Sequence, residues 1–474
     1  MGGGNPGDER FSARLNEADA MFTAVSDAGG VPYAPVALSV LSNDFTDPEI
    51  RPYLRERRVR LMPAVRRRIV RDRFSIALPR WVDVPDFEMS DNWMMLPAPG
   101  DGSIRAVLDW AATWAAQPFP PDRPPWRSVL LKDVTFEGVP GRLVLLSQQH
   151  HAIIDGGGSL ALGEKWKELP PIIPHQPMPP LPPPVPFDTS SAFERWKEGW
   201  ALERVKAREG LRNTWTRMRW AAAHPRAGAR RARELAGAVR RMTKAQGTST
   251  RSPLLRRQSD HLRFDWLTFD LAELKAGGKA VGGTLNHAFM GAVSVGLHRY
   301  HHDHGLRVDA VRTAVPINTR TEADGYLGNR VVATMLDMPL RDDAAVAVAE
   351  CGRVASSHIR DDDVLWVLDR FRALANRLPR RVVVPMTRRT MGGYDLQLSN
   401  AMGPTERGTS TTGVETLATC PLPIGPSALT ITLATFAGDV SVGVCTDRVA
   451  IPDPELLVHH LEEGFKAVIA LAAD

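Results

Sequence analysis

The chain has 474 residues, 43% hydrophobic and 24% charged, with 38 Gly and 38 Pro. That balance buries large cores and excludes a single small module, a disordered chain and a collagen-like one. The formal net charge of +5 is uneven: residues 191–257 hold 18 Lys or Arg against 5 Asp or Glu, so the rest of the chain is acidic, and the basic segment predicts an anionic partner.

Residues 1–11, beginning Met1-Gly2-Gly3-Gly4-Asn5-Pro6, read as a flexible start without the basic and apolar blocks of a secretory signal. No uncharged apolar run approaches the roughly 18 residues that span a bilayer, so membrane contact is expected to be peripheral. Cys351, Cys420 and Cys445 are too few for a disulfide framework and lack zinc spacing, which predicts no metal and a reducing, cytoplasmic location.

Residues 12–168 read as a mixed α/β domain. Val36–Leu41 is a strand candidate, residues 50–68 a basic amphipathic helix, and residues 142–151 a buried strand that turns polar at its end. From 169 to 258 runs a Pro-rich and then Arg-rich linker. Its prolines predict extended chain, and Trp196 and Trp200 share a helical face at the i, i+4 spacing. Its tryptophans and arginines suit a lipid interface or, equally, a solvated linker helix; no nucleic-acid fold motif accompanies them.

Residues 259–474 read as a second α/β domain. Strands are expected over 262–271, 311–316 and 331–336, and helices over 272–302, 344–359, 364–378 and 454–472. The stretches 428–436 and 440–445, joined by Ala437-Gly438-Asp439, form a hairpin signal.

The sharpest chemical constellation is His150-His151-Ala152-Ile153-Ile154-Asp155-Gly156 at the end of the buried strand. An imidazole there takes a proton from a hydroxyl or thiol and returns it to a leaving group. A generic His-His pair is more often a satisfied core pair or a half-formed metal site, but the full HHxxxDG pattern outweighs those readings. The cluster His298, His301, His302 and His304 lacks a four-ligand pattern and reads as surface. Ser294 lies inside a helical run rather than at a nucleophile elbow, and Gly156-Gly157-Gly158 is no P-loop because no Gly-Lys-Ser/Thr follows.

With this motif the chain resembles the bacterial wax ester synthase/diacylglycerol acyltransferase family, within the superfamily of CoA-dependent acyltransferases and condensation domains. Further segments carry the resemblance: Leu15 to Phe22, Pro124-Pro125-Trp126, Thr284-Leu285-Asn286-His287, Val315-Pro316-Ile317-Asn318-Thr319-Arg320 and Ser399-Asn400-Ala401-Met402-Gly403-Pro404. His287, Pro125 and Met402 depart from the family's usual Asp, Leu and Pro. The resemblance implies two similar chloramphenicol-acetyltransferase-like α/β domains around a central channel, with acyl-CoA as co-substrate, no cofactor, and diacylglycerol or a long-chain alcohol as acceptor. It implies His151 as general base, His150 and Asp155 in support, and Gly156, Asn286, Ser399 and Asn400 as substrate contacts. Asn286 also suits a plain helix cap and 399–404 a turn. A condensation-type enzyme with another donor or acceptor, and a non-catalytic lipid-binding protein docked on a membrane or lipid droplet, are the competing expectations.

Overall fold

The computed structural model describes residues 14–42, 63–71, 77–84, 87–154, 191–245, 251–318, 331–358, 362–391, 393–407 and 415–473. In the N-terminal half these form β1 (Val36–Leu41), β2 (Arg67–Val70), β3 (Arg80–Asp83), β4 (Trp93–Pro97), β5 (Trp126–Phe136) and β6 (Val139–Gln149), with helices α1 (Glu17–Gly29) and α2 (Ile104–Ala116). A linker pair follows, α3 (Ala192–Ala223) and α4 (Pro225–Ala245). The C-terminal half contributes β7 (Leu262–Asp270), β8 (Ala310–Asn318), β9 (Val331–Pro339), β10 (Leu396–Ala401), β11 (Thr416–Leu422), β12 (Leu429–Phe436) and β13 (Asp439–Asp447). Its helices are α5 (Leu271–Ala280), α6 (Leu285–Asp303), α7 (Ala344–His358), α8 (Asp362–Ala375), α9 (Arg380–Met391) and α10 (Pro454–Ala470).

Two mixed sheets organise these elements. The first runs β11-β1-β6-β5-β4 and the second β7-β13-β12-β10-β8-β9. β6 is central to the first because its apolar run, with Val144 and Leu146 fully buried, needs cover on both faces; α2 supplies one cover through Val107, Leu108 and Ala111. The second sheet packs on α6, α7 and α10 around Phe289, Tyr300, Leu461 and Phe465. The β12–β13 hairpin turns through Ala437 and Gly438 at φ 50° and 94°, the positive values that a two-residue turn between twisted strands demands.

The halves interlock. β11, from the C-terminal half, pairs antiparallel with β1 in the first sheet, Cys420 opposite Leu38. Arg105 of α2 donates to Asp265 Oδ1 and to the Phe264 carbonyl of β7, each at 2.6 Å. Thus the strand beside the motif-bearing β6 is itself flanked by chain from the other half.

One expectation is corrected. Of the helix anticipated over 50–68, residues 50–62 lie outside the described residues, Pro63–Arg66 is a 3-10 turn and Arg67–Val70 is strand β2. Arg66 and Arg67 both donate to Asp83 Oδ1 of β3, at 3.1 and 3.2 Å, so a half-buried ladder and a shared carboxylate override the helical charge spacing. The Pro-rich stretch of the linker lies outside the described residues; Trp196 and Trp200 do share a face of α3, their rings 6.0 Å apart.

Candidate active site

The site is assembled from α1 and the end of β6. Asn16 caps α1, its side chain accepting the Asp19 amide at 2.8 Å. Glu17 ties the helix to the end of α8 by accepting from Asn376 and from Arg377, both at 2.8 Å. On the strand side, Trp126 is buried and donates its indole N–H to the Val65 carbonyl at 2.6 Å. The preceding Pro125 carbonyl accepts the His150 amide at 2.9 Å, and the Tyr33 carbonyl accepts the His151 amide at 3.3 Å. The Pro-Pro-Trp element thus fixes the His150 backbone, and Tyr33 that of His151.

The two histidines occupy different environments. His150 is buried; its Nδ1 accepts the Ala152 amide at 3.0 Å, which leaves Nε2 to donate to Ser26 Oγ at 2.9 Å. Ser26 Oγ also accepts the Tyr33 amide at 3.0 Å. Burial, reinforced by repulsion from His151, pushes the His150 pKa down to about 3, so this ring is a neutral strut. His151 is half-buried. Its ring stands in a near-parallel trio with Phe22 and Tyr33, centroids 4.8 to 5.3 Å apart. Packing on two aromatic faces restricts how the imidazole can turn.

Phe22 and Tyr33 also line a cavity of about 210 Å³. Its walls come from both halves: Met21 on α1, Met335 on β9, Leu368 and Phe371 on α8, and Met386 on α9. The lining is mainly apolar and therefore suited to a hydrocarbon chain. Its polar features include Tyr33 Oη, which accepts from Gln397 Nε2 at 3.0 Å; burial raises the Tyr33 pKa above its ordinary value.

The other residues singled out in the sequence are placed unequally. Asp155 and Gly156 lie outside the described residues. Asn286 is on the first turn of α6 but does not cap it: Thr284 does, accepting the His287 amide at 3.3 Å, while Asn286 Nδ2 lies 3.9 Å from Met290 Sδ. Ser399 and Asn400 belong to β10 rather than to a turn, and Ser399 shares the strand face of Gln397. Neither Asn286 nor the Ser399-Asn400 pair lines the described cavity. His301 donates or accepts within the fold, between Ser252 Oγ and the Leu297 carbonyl, and Ser294 is buried against the Pro339 carbonyl at 2.7 Å.

Comparison with protein families decides the family of the chain. The wax ester synthase/diacylglycerol acyltransferase catalytic domain matches residues 15–289, and the WS/DGAT C-terminal domain matches residues 327–468. The chain belongs to the wax ester synthase/diacylglycerol acyltransferase family. It is an acyltransferase by that membership. A Mycobacterium tuberculosis H37Rv protein named "Putative diacyglycerol O-acyltransferase" is 27% identical over 422 residues, 86% of this chain and 82% of the relative. A second of the same name and strain is 27% identical over 415 residues, 83% of each chain. Among solved structures, the wax ester synthase/diacylglycerol acyltransferase from Marinobacter aquaeolei VT8 superposes with a TM-score of 0.61 at 16% identity, covering 98% of this chain and 100% of that one. The first condensation domain of the CDA synthetase does so at 0.56 and 17%, covering 98% and 96%. These likenesses establish the two-domain acyltransferase fold.

Within this acyltransferase, Gln397 and Tyr33 are residues of the candidate site that the sequence did not single out. Gln397 lies two positions before Ser399 on the same strand face, so the alternation of β10 was a usable signal for it. Tyr33 had none, because its ring meets His151 only through tertiary packing.

Proposed function

We propose that this acyltransferase moves a long-chain fatty acyl group from acyl-CoA to the hydroxyl of diacylglycerol, of a fatty alcohol, or of both. The observation that carries the reading is the His151 ring stacked on Phe22 and Tyr33, two residues that line an apolar cavity. His151 accepts the proton of the acceptor hydroxyl as its oxygen bonds to the thioester carbonyl carbon. The tetrahedral oxyanion then collapses, the carbon–sulfur bond breaks, and the imidazolium returns the proton to the CoA thiolate. Neutral His150 favours this cycle, since a second cation beside His151 would weaken it as a base. Asp155 holds the loop with Gly156, and Asn286, Ser399 and Asn400 supply hydrogen bonds to substrate or oxyanion. The scheme uses no covalent acyl-enzyme.

The acyltransferase meets its apolar acceptors at a lipid surface through α3. Leu211, Trp215 and Met218, at i, i+4 and i+7, are 67%, 67% and 60% exposed, and Arg208, Arg212 and Arg219 surround them, the pattern of an interfacial anchor on anionic lipid. Among the described residues no helix is long and apolar enough to cross a membrane.

The test follows thiol release from palmitoyl-CoA with diacylglycerol, hexadecanol or no acceptor, for wild type and His151→Ala. Acceptor-dependent release lost at least about a hundredfold in the variant is expected. Full activity of His151→Ala removes the assigned base, and release only from an acyl-carrier protein favours the condensation-type alternative. Sedimentation with phosphatidylglycerol vesicles, but not with phosphatidylcholine vesicles, is expected and should be lost in Trp215→Ser.

A further inference from the structure

The apolar cavity lined by Phe22 and Tyr33 has a polar corner. Tyr394 and Gln397 stand at the start of β10 and line the cavity together with Tyr33. Tyr394 is 7% exposed, and its hydroxyl makes no hydrogen bond among the described residues. Burial, with the neighbouring Tyr33, raises its pKa well above the ordinary value, so the phenol keeps its proton and remains a donor. Gln397 commits one end of its amide: Nε2 donates to Tyr33 Oη at 3.0 Å. Its Oε1 receives no hydrogen bond among the described residues. A donor and an acceptor thus stand unmatched in a cavity whose other walls, Met21, Leu368 and Phe371 among them, are mainly apolar.

Both groups are built on rigid chain. Asp395, between them, is fully buried, and its carboxylate accepts the amides of Arg251, Ser252 and Arg312 at 2.9, 3.1 and 2.8 Å. Its own amide donates to the Arg312 carbonyl at 2.9 Å. Gln397 is paired on both sides, opposite Ala314 of β8 and Thr430 of β12. Backbone held this firmly fixes where the two polar groups stand, so they select a ligand rather than adapt to one.

A ligand group that matches the corner accepts from the Tyr394 phenol and donates to the Gln397 oxygen. A hydroxyl does both. An ester carbonyl only accepts and leaves Gln397 Oε1 unpaired, and a methylene does neither. The corner is also close to the chemistry, because Tyr33 touches both: its ring stacks on His151 and its hydroxyl bonds Gln397. We propose that the cavity selects long-chain vicinal diols, with one hydroxyl presented to His151 and its neighbour held by Tyr394 and Gln397. The inference rests on the acyl-transfer reading of His151 and adds to it the second polar group of the acceptor.

Calorimetry on the full chain compares decanol, vicinal decanediol and dioctanoylglycerol, for wild type, Tyr394→Phe and Gln397→Leu, with Tm as the control for folding. The diol is expected to bind at least about tenfold more tightly than decanol, although its extra hydroxyl makes it the less hydrophobic of the two. Each substitution should lower that preference about tenfold. Equal binding of diol and decanol to the wild type overturns the proposal, as does a preference unchanged in both folded variants. Losses confined to dioctanoylglycerol also overturn it, because the corner then holds an ester carbonyl. Since the readout is binding, the two readings separate: acyl transfer without a diol preference sinks only this inference, and a diol preference that depends on Tyr394 and Gln397 without thiol release sinks only the proposed reaction.

Discussion

The Tyr33 ring lies 5.1 Å from the His151 imidazole at an interplanar angle of 21°, while its hydroxyl accepts from Gln397 on the opposing sheet. One side chain therefore packs on the proposed base and ties it to the C-terminal half. The two roles are separable. Tyr33→Phe keeps the ring and loses only the Gln397 bond, so most of kcat is expected to survive. Tyr33→Leu removes the stacked face, and a misoriented base should cost kcat more than tenfold. Steady-state thiol release gives both values; equal rates for the two variants would show that the stack does not orient His151.

His150 sets an acid limit on stability. Its pKa is about 3 in the fold and about 6.5 in an unfolded chain, so between these values the unfolded state binds more protons and stability rises with pH. Read downward, stability falls as pH drops below about 6.5, by up to about 1.4 kcal/mol per pH unit from this group. His301, also depressed by burial, adds to the slope. Tm measured from pH 7 to 4.5 in wild type and His150→Gln isolates the His150 share: the variant should start less stable, having lost its bonds, but lose less Tm on acidification. Parallel curves would mean that His150 is protonated in the native state.

Much of this was legible in the sequence because it is local. The apolar run of β6, the alternation of β12 and β13 with Ala437-Gly438 between them, and the HHxxxDG motif each declare themselves within a dozen residues. The failures are tertiary. Arg66 and Arg67 carry a helix-like charge pattern, but the Asp83 carboxylate they share and the pairing of Arg67 with β3 decide the backbone there. Asn286 looks like a cap by residue type, yet Thr284 two positions earlier takes the exposed amide. The aromatic trio joins residues 22, 33 and 151, which have no spacing to read.

The three cysteines should be silent in a thiol-release assay. Cys351 and Cys445 are buried with pKa values pushed up to about 12, and burial raises that of Cys420 well above its ordinary value. Thiols held protonated and away from solvent are inert towards disulfide reagents. At pH 8 the folded chain should release less than one thiol equivalent over an assay, and all three only in guanidinium. Rapid native labelling would place at least one of them in contact with solvent.

Gly443 on β13 marks where the second sheet meets the strand lent to the first. A Cβ there would overlap the Pro421 carbonyl oxygen on β11, a backbone atom that cannot swing aside as a side chain would. Gly443→Ala must therefore push β11 and β13 apart, and overpacking of this kind costs about 1–3 kcal/mol or more. Gly210, on an exposed turn of α3 with nothing within 4 Å of its added Cβ, is the counter-case: Gly210→Ala should raise stability by up to about 1 kcal/mol through helix propensity. Because β11 pairs with β1, and β1 with the motif-bearing β6, Gly443→Ala should lower acyl transfer as well as Tm. Thermal unfolding and initial rates measured on both variants test this; an undiminished rate in a destabilised Gly443→Ala chain would show that the histidine pair is insulated from the seam between the sheets.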